Sequence, residues 1–232
     1  MTNHSINYGT TLISFEIRYS LRKTMAIVVR PDGSILVKVP NDASFDKIEE
    51  KVHKRASWII KQQCYFKSFG EKTPNRKFIS GESHLYLGRQ YILQVKEGRP
   101  DSVKNKGHYF EVVCSSRSKA GYLMNKWYRQ HAKIKFAEIA EPIIQRFKKY
   151  DVEPETIHMQ EMSTRWGSCT NRGKLILNTG LIKAPRPCIE YVITHELCHL
   201  VHRNHTKAFY DLLSEEMPDW KKWKNRLEQI LR

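Results

Sequence analysis

No stretch of this 232-residue chain is long and apolar enough to span a membrane. The opening "MTNHSINYGTTLISFEIRYS" lacks the charged start, apolar middle and small-residue cleavage site of a secretory signal. The five cysteines cannot all pair, and no two form a C-x-x-C clip. These absences predict a protein that does not enter a membrane and keeps reduced thiols in a cytoplasm. There is no internal repeat and no low-complexity segment. Nor is there a zinc-knuckle spacing, an aromatic RNA-binding signature or a block of uninterrupted lysines.

What is present is enough for a packed core, with 40% hydrophobic and 11% aromatic residues. The formal net charge is +16, a field that attracts nucleic acid or acidic surfaces and equally keeps a small protein dissolved. Charge alone leaves nucleic acid as an open partner and does not address oligomeric state.

Pattern divides the chain unevenly. "TLISFEIRYS" and "TMAIVVRPDGSILVKVP" read as strands with a turn at "RPDGS", and "HLYLGRQYILQVKEG" reads as a hairpin turning at Gly88. Between them Ile48, Val52, Ala56, Ile59 and Ile60 recur at helical spacing. From Ala120 a long helix is expected, with Leu123, Trp127, Ile134, Ala137, Ile139 and Ile143 on its apolar face and Pro142 as a kink or break. A second β section, "TIHMQEMSTRWGSCTNRGKLILNTGLIKAP", turns at "TNRG". Three helices come after it, the last with an apolar stripe of Trp220, Trp223, Leu227, Ile230 and Leu231. A boundary near Ser116 is expected, separating a β-rich region (1–116) from a unit carrying the chemistry (117–232).

That chemistry centres on "HELCHLVHRNH", which holds four of the ten histidines. On a helix, His195 and His199 lie one turn apart on one face, close enough for both imidazoles to reach a single Zn²⁺. Glu196 falls about 100° around the helix, beside the metal's open corner, where it can move a proton to and from a water. Pro187 suits the first turn of such a helix, and Val192, Ile193, Leu200 and Val201 can anchor it in a core. A third ligand has three sources. His205 reaches the metal if the chain reverses, for instance through a left-handed Asn204. On a continuing helix it would point away, about 15 Å further along. Glu215 or Glu216 would give a two-histidine, one-glutamate site, and His202 is the remaining choice.

"STRWGSC", "LILNTGLIKAP", "YVITHELCHLVHRNHTKAF" and "MPDW" together resemble the YgjP-like metallopeptidases, a family related to SprT-like and WLM zinc proteases. "YLGRQYILQV" and "KWYRQHA" extend the resemblance through most of the chain. It implies a zincin-like α+β fold, catalytic zinc, and a family pattern H-E-x-x-H-L-x-x-x-N-H that falls on His195, Glu196, His199, Leu200, Asn204 and His205. The function so implied is zinc-dependent peptide hydrolysis on a peptide or protein substrate. Two rivals are a DNA-recruited protease like the SprT-like proteins and a zinc-stabilised binding module without turnover. Arg165 and His202 are further candidates for touching substrate. Trp166 is expected as a core plug, Gly167 as a bulge, Met217 as a core contact and Cys198 as a buried, inert thiol.

Overall fold

The computed structural model describes residues 2–30, 32–67, 76–162 and 165–231. Helices and strands are mixed in an α+β arrangement, and the chain divides into two compact units, 1–72 and 73–232.

In the first unit, β1 (Thr2–Tyr8), β2 (Thr11–Ser20), β3 (Ala26–Val29) and β4 (Ile35–Pro40) form a sheet in the order β1-β2-β4-β3. Of the turn expected at "RPDGS", Pro31 lies outside the described residues; Asp32 and Gly33 turn between β3 and β4, which pair antiparallel. Helices α1 (Phe45–Lys54) and α2 (Ala56–Lys67) separate at Arg55. The apolar positions read from the sequence face inward. Ile48, Val52, Ala56 and Ile59 are buried with Ile13, Phe15, Ile17 and Val37 of the sheet. The sequence pattern does not predict β1, because its polar "NHSINY" buries only Ile6; pairing with β2 along its whole length makes it a strand.

The second unit opens with β5 (Ser83–Tyr86), β6 (Arg89–Glu97), β7 (Ser102–Lys106) and β8 (Tyr109–Cys114), ordered β5-β6-β8-β7. The boundary expected near Ser116 is therefore moved. Leu93, Phe110 and Val112 of this sheet share one core with Met124, Trp127, Tyr128 and Phe136 of α3 (Ala120–Phe147), and the Phe110 and Trp127 rings meet edge to face at 4.8 Å. Burying those rings against each other binds the sheet to α3. Helix α3 runs unbroken through Pro142. Ile134 is exposed and Ala137 faces solvent, because the inner face is set by the larger Trp127, Tyr128 and Phe136.

Next come β9 (Thr156–Gln160), β10 (Gly167–Cys169) and β11 (Lys174–Asn178), ordered β10-β11-β9, so β10 is an edge. The "TNRG" turn between β10 and β11 is as expected, with Gly173 at φ 78°. Helices α4 (Arg186–Val201), α5 (Lys207–Glu216) and α6 (Trp220–Ile230) complete the unit. Among the described residues no helix is long and apolar enough to cross a membrane.

The β5–β6 hairpin fixes where α4 starts. Leu87 and Gly88 turn at φ 48° and 79°, and their N–H groups donate to the carbonyls of Ile182 and Lys183 at 2.9 and 3.1 Å. A Cβ at Gly88 would lie 2.7 Å from Pro185 Cγ and 2.9 Å from its Cα. Both the left-handed backbone and this close approach to the cap of α4 require glycine. Gly88→Ala is expected to lower unfolding stability by at least about 1 kcal/mol, read from denaturant midpoints; an unchanged midpoint would contradict the packing described.

Candidate metal centre

Pro185 caps α4 and Pro187 occupies its first turn, where a missing N–H costs nothing. Ile189, Val192, Ile193, Leu197 and Cys198 are buried, holding one side of the helix in the core. His195 and His199, one turn apart, emerge half-buried on another side. Cys198 is a buried thiol whose pKa burial pushes up to about 12, as expected of an inert cysteine.

The helix stops at Val201. His202 leaves it in an extended conformation, φ −127°, ψ 104°, and Thr206 N–H donates to Asn204 carbonyl at 2.7 Å, tightening the turn around His205. Asn204 is not left-handed, so that expectation is corrected: the extended His202 and this tight turn reverse the chain. The result is the same closure. His205 Nε2 lies 3.0 Å from His195 Nε2, close to the edge of about 3.3 Å that two nitrogens of a tetrahedral zinc subtend. One nitrogen from each of His195, His199 and His205 lies within 4.8 Å of the others.

Burial sets the protonation of two of the rings. Burial pushes the pKa of His195 down to about 3, with the charges of His199 and His205 adding to the effect. Burial also lowers that of His199. Both are thus neutral imidazoles with a free lone pair. His199 Nδ1 meets the His202 carbonyl at 3.3 Å, which leaves Nε2 for a metal. His195 Nδ1 is buried without a hydrogen-bond partner among the described residues. Beneath all three lies Phe209, fully buried, its ring centroid 5.0, 4.6 and 4.7 Å from those of His195, His199 and His205. Sequence reasoning missed Phe209; its only signal was a phenylalanine one helical turn after His205.

Glu196 is 6% exposed. Burial pushes its pKa up to about 7, against the charge of Arg165 and the backbone N–H of Cys169. Gly167 makes its place possible. A Cβ there would stand 2.6 Å from Glu196 Oε1 and 2.8 Å from its Cγ. Gly167 is thus not a bulge but a regular strand position, paired with Leu177, left bare for the carboxylate. Trp166 is half-buried against the core, as expected.

These groups open on a cavity of about 380 Å³ shared by the three histidines, Glu196, Arg165 and Arg203. Of the two residues expected at substrate, Arg165 lines it, its Nη1 3.4 Å from Ser168 Oγ. The His202 ring does not; that residue acts through its backbone carbonyl. The other ligand choices are also placed elsewhere. Glu216 is held by Lys149 Nζ and Tyr150 Oη at 2.7 and 2.8 Å, and Glu215 accepts from Tyr150 at 3.1 Å. Burial opposes the charge of Glu216, but those hydrogen bonds outweigh it and hold its pKa below the ordinary value. Met217 packs against the core.

A family model described as YgjP-like, metallopeptidase domain matches residues 23–230. The chain belongs to the YgjP-like metallopeptidase family. No curated protein matches it. Family membership implies a metal-dependent hydrolase, and the cluster of three imidazoles is a donor set that suits such a metal.

In this YgjP-like chain the segment carrying Arg165 and Gly167 is clamped by Asn178, a buried residue that sequence reasoning also missed. Its Nδ2 donates to the carbonyls of Met162 and Arg165 at 2.7 and 3.0 Å, and its Oδ1 accepts from Gly180 N–H. Asn178→Ala strands two part-buried carbonyls. A loss of about 1–3 kcal/mol in denaturant unfolding is expected; no measurable loss would show that the clamp is dispensable.

Proposed function

We propose that the chain is a zinc-dependent metallopeptidase of zincin-like design, with His195, His199 and His205 as the metal ligands and Glu196 as general base. What carries the reading is one conjunction: three imidazoles converge beside a buried carboxylate, in a cavity open to a substrate.

Zinc, when bound there, supplies a Lewis acid that acidifies a water and polarises a carbonyl. Glu196 stands next to the ligand His195 and takes the proton from the attacking water. Its raised proton affinity suits that task, and the same carboxyl then returns the proton to the leaving amine. Arg165 faces the cavity and offers a cation to the carbonyl oxygen as negative charge builds on it. The substrate lies extended along β10, an edge strand whose residues line the cavity. Three ligands and a base beside an open corner speak against a purely structural zinc site, which favours a fourth protein ligand and has no use for the base.

Glu196→Gln is expected to keep one zinc per chain while kcat/KM on a peptide substrate drops by about 10²–10⁴-fold, measured by metal analysis and peptide cleavage. Turnover near the wild-type rate would refute the assigned role. Chelation supplies a second check. His195 and His199 sit on a helix already packed into the core, and His205 on the turn between two anchored helices, so removing zinc is expected to abolish cleavage while circular dichroism retains the folded spectrum. Unfolding on chelation would instead mark a structural site.

A further inference from the structure

One carboxylate near the centre has no part in this chemistry. Glu228 comes directly after the buried Leu227 on α6 and lines a second cavity, of about 190 Å³, which also borders His195 and Glu196. Its Oε2 is buried and has no hydrogen-bond partner among the described residues. No ion pair involving it is found among them either. Burial is what pushes its pKa up to about 7.

Two cations border the same cavity, yet both act toward the catalytic end. Arg165 bears on Glu196 and lies near Ser168; the charge of Lys224 bears on His195. Neither compensates Glu228. The cavity wall also includes Tyr191, Val192 and Leu227. A cavity with apolar side chains in its wall and an unpartnered acceptor matches a long aliphatic stem tipped by a donor. A buried carboxylate without a partner is unfavourable, and an incoming cation removes that penalty. Such pairs also discriminate sharply, because a ligand lacking the donor leaves the acceptor stranded.

We propose that Glu228 ends a substrate subsite which selects a lysine or arginine side chain next to the scissile bond. The proposal rests on the peptidase reading above, and Glu228 is a specificity residue within it.

Two arms test it on the full zinc-loaded chain. In the first, cleavage of a denatured protein mixture is profiled, and kcat/KM is compared for two peptides differing only by lysine or norleucine at the preferred position. Wild type is expected to show a basic residue at one fixed position beside the cut and to favour the lysine peptide at least about tenfold. Glu228→Gln is expected to bring that ratio close to one. A wild-type profile with no basic preference overturns the proposal, whether or not the variant folds. So does a ratio that Glu228→Gln leaves unmoved.

The second arm measures fluorescence anisotropy of the same peptides bound to the Glu196→Gln chain, so it needs no turnover. Tighter binding of the lysine peptide, lost on adding Glu228→Gln, supports the subsite. Equal binding of both peptides overturns it. If no peptide is cut but the binding preference stands, the peptidase reading fails and the cation-selective pocket survives.

Discussion

Bringing a third imidazole back to the first two is the constraint on which this centre depends. The pair His195 and His199 comes free with helical geometry, since residues four apart share a face. His205 does not. It reaches His195 only because α4 stops at Val201 and the chain doubles back before α5 begins at Lys207. The reversal stays in place because both flanking helices are anchored in the core, α4 through Val192, Ile193 and Leu197, and α5 through Phe209, Leu212 and Leu213. Phe209 does two things at once: it fills the core under α5 and offers a flat apolar floor to all three rings. A rigid floor keeps the three rings close together, as the proposed ligand role requires.

The same packing tunes the charges. Removing His195 and Glu196 from water moves both towards neutrality: the imidazole loses its proton and the carboxyl holds on to its own. Neutral imidazoles are what a cation needs. A carboxyl with raised proton affinity is what a shuttle needs, and a dication beside it lowers that affinity again. Gly167 is the steric counterpart of this electrostatics, because only a residue without a Cβ lets β10 lie so close to Glu196. Asn178 then holds the segment before β10 at two carbonyls, so strand, Glu196 and Arg165 are registered together.

Much of this was legible in the sequence. H-E-x-x-H at helical spacing, Pro187 in the first helical turn, the turns at Gly88 and "TNRG", and the inward residues of α1 and α2 all arise from local periodicity and turn chemistry. What escaped depends on tertiary contact. β1 and β7 are too polar to announce themselves and exist because a neighbouring strand pairs with them. The boundary near Ser116 is misplaced because composition cannot show that the β5–β8 sheet packs on α3. The face of α3 is shifted towards Ile134 when small and large apolar residues are weighted alike. Gly167 reads as a bulge, and Asn178 as an ordinary strand residue, until Glu196 and the segment before β10 come to lie against them. A reversal that brings His205 back is legible, but its hinge is an extended His202 and not a left-handed Asn204.

X-ray absorption at the zinc edge of the purified, zinc-loaded chain tests the proposed centre most directly. One zinc bound by three imidazole nitrogens at about 2.0–2.1 Å and one solvent oxygen is the result expected. A shell of only two imidazoles, or a fourth protein ligand in place of the solvent, would contradict it.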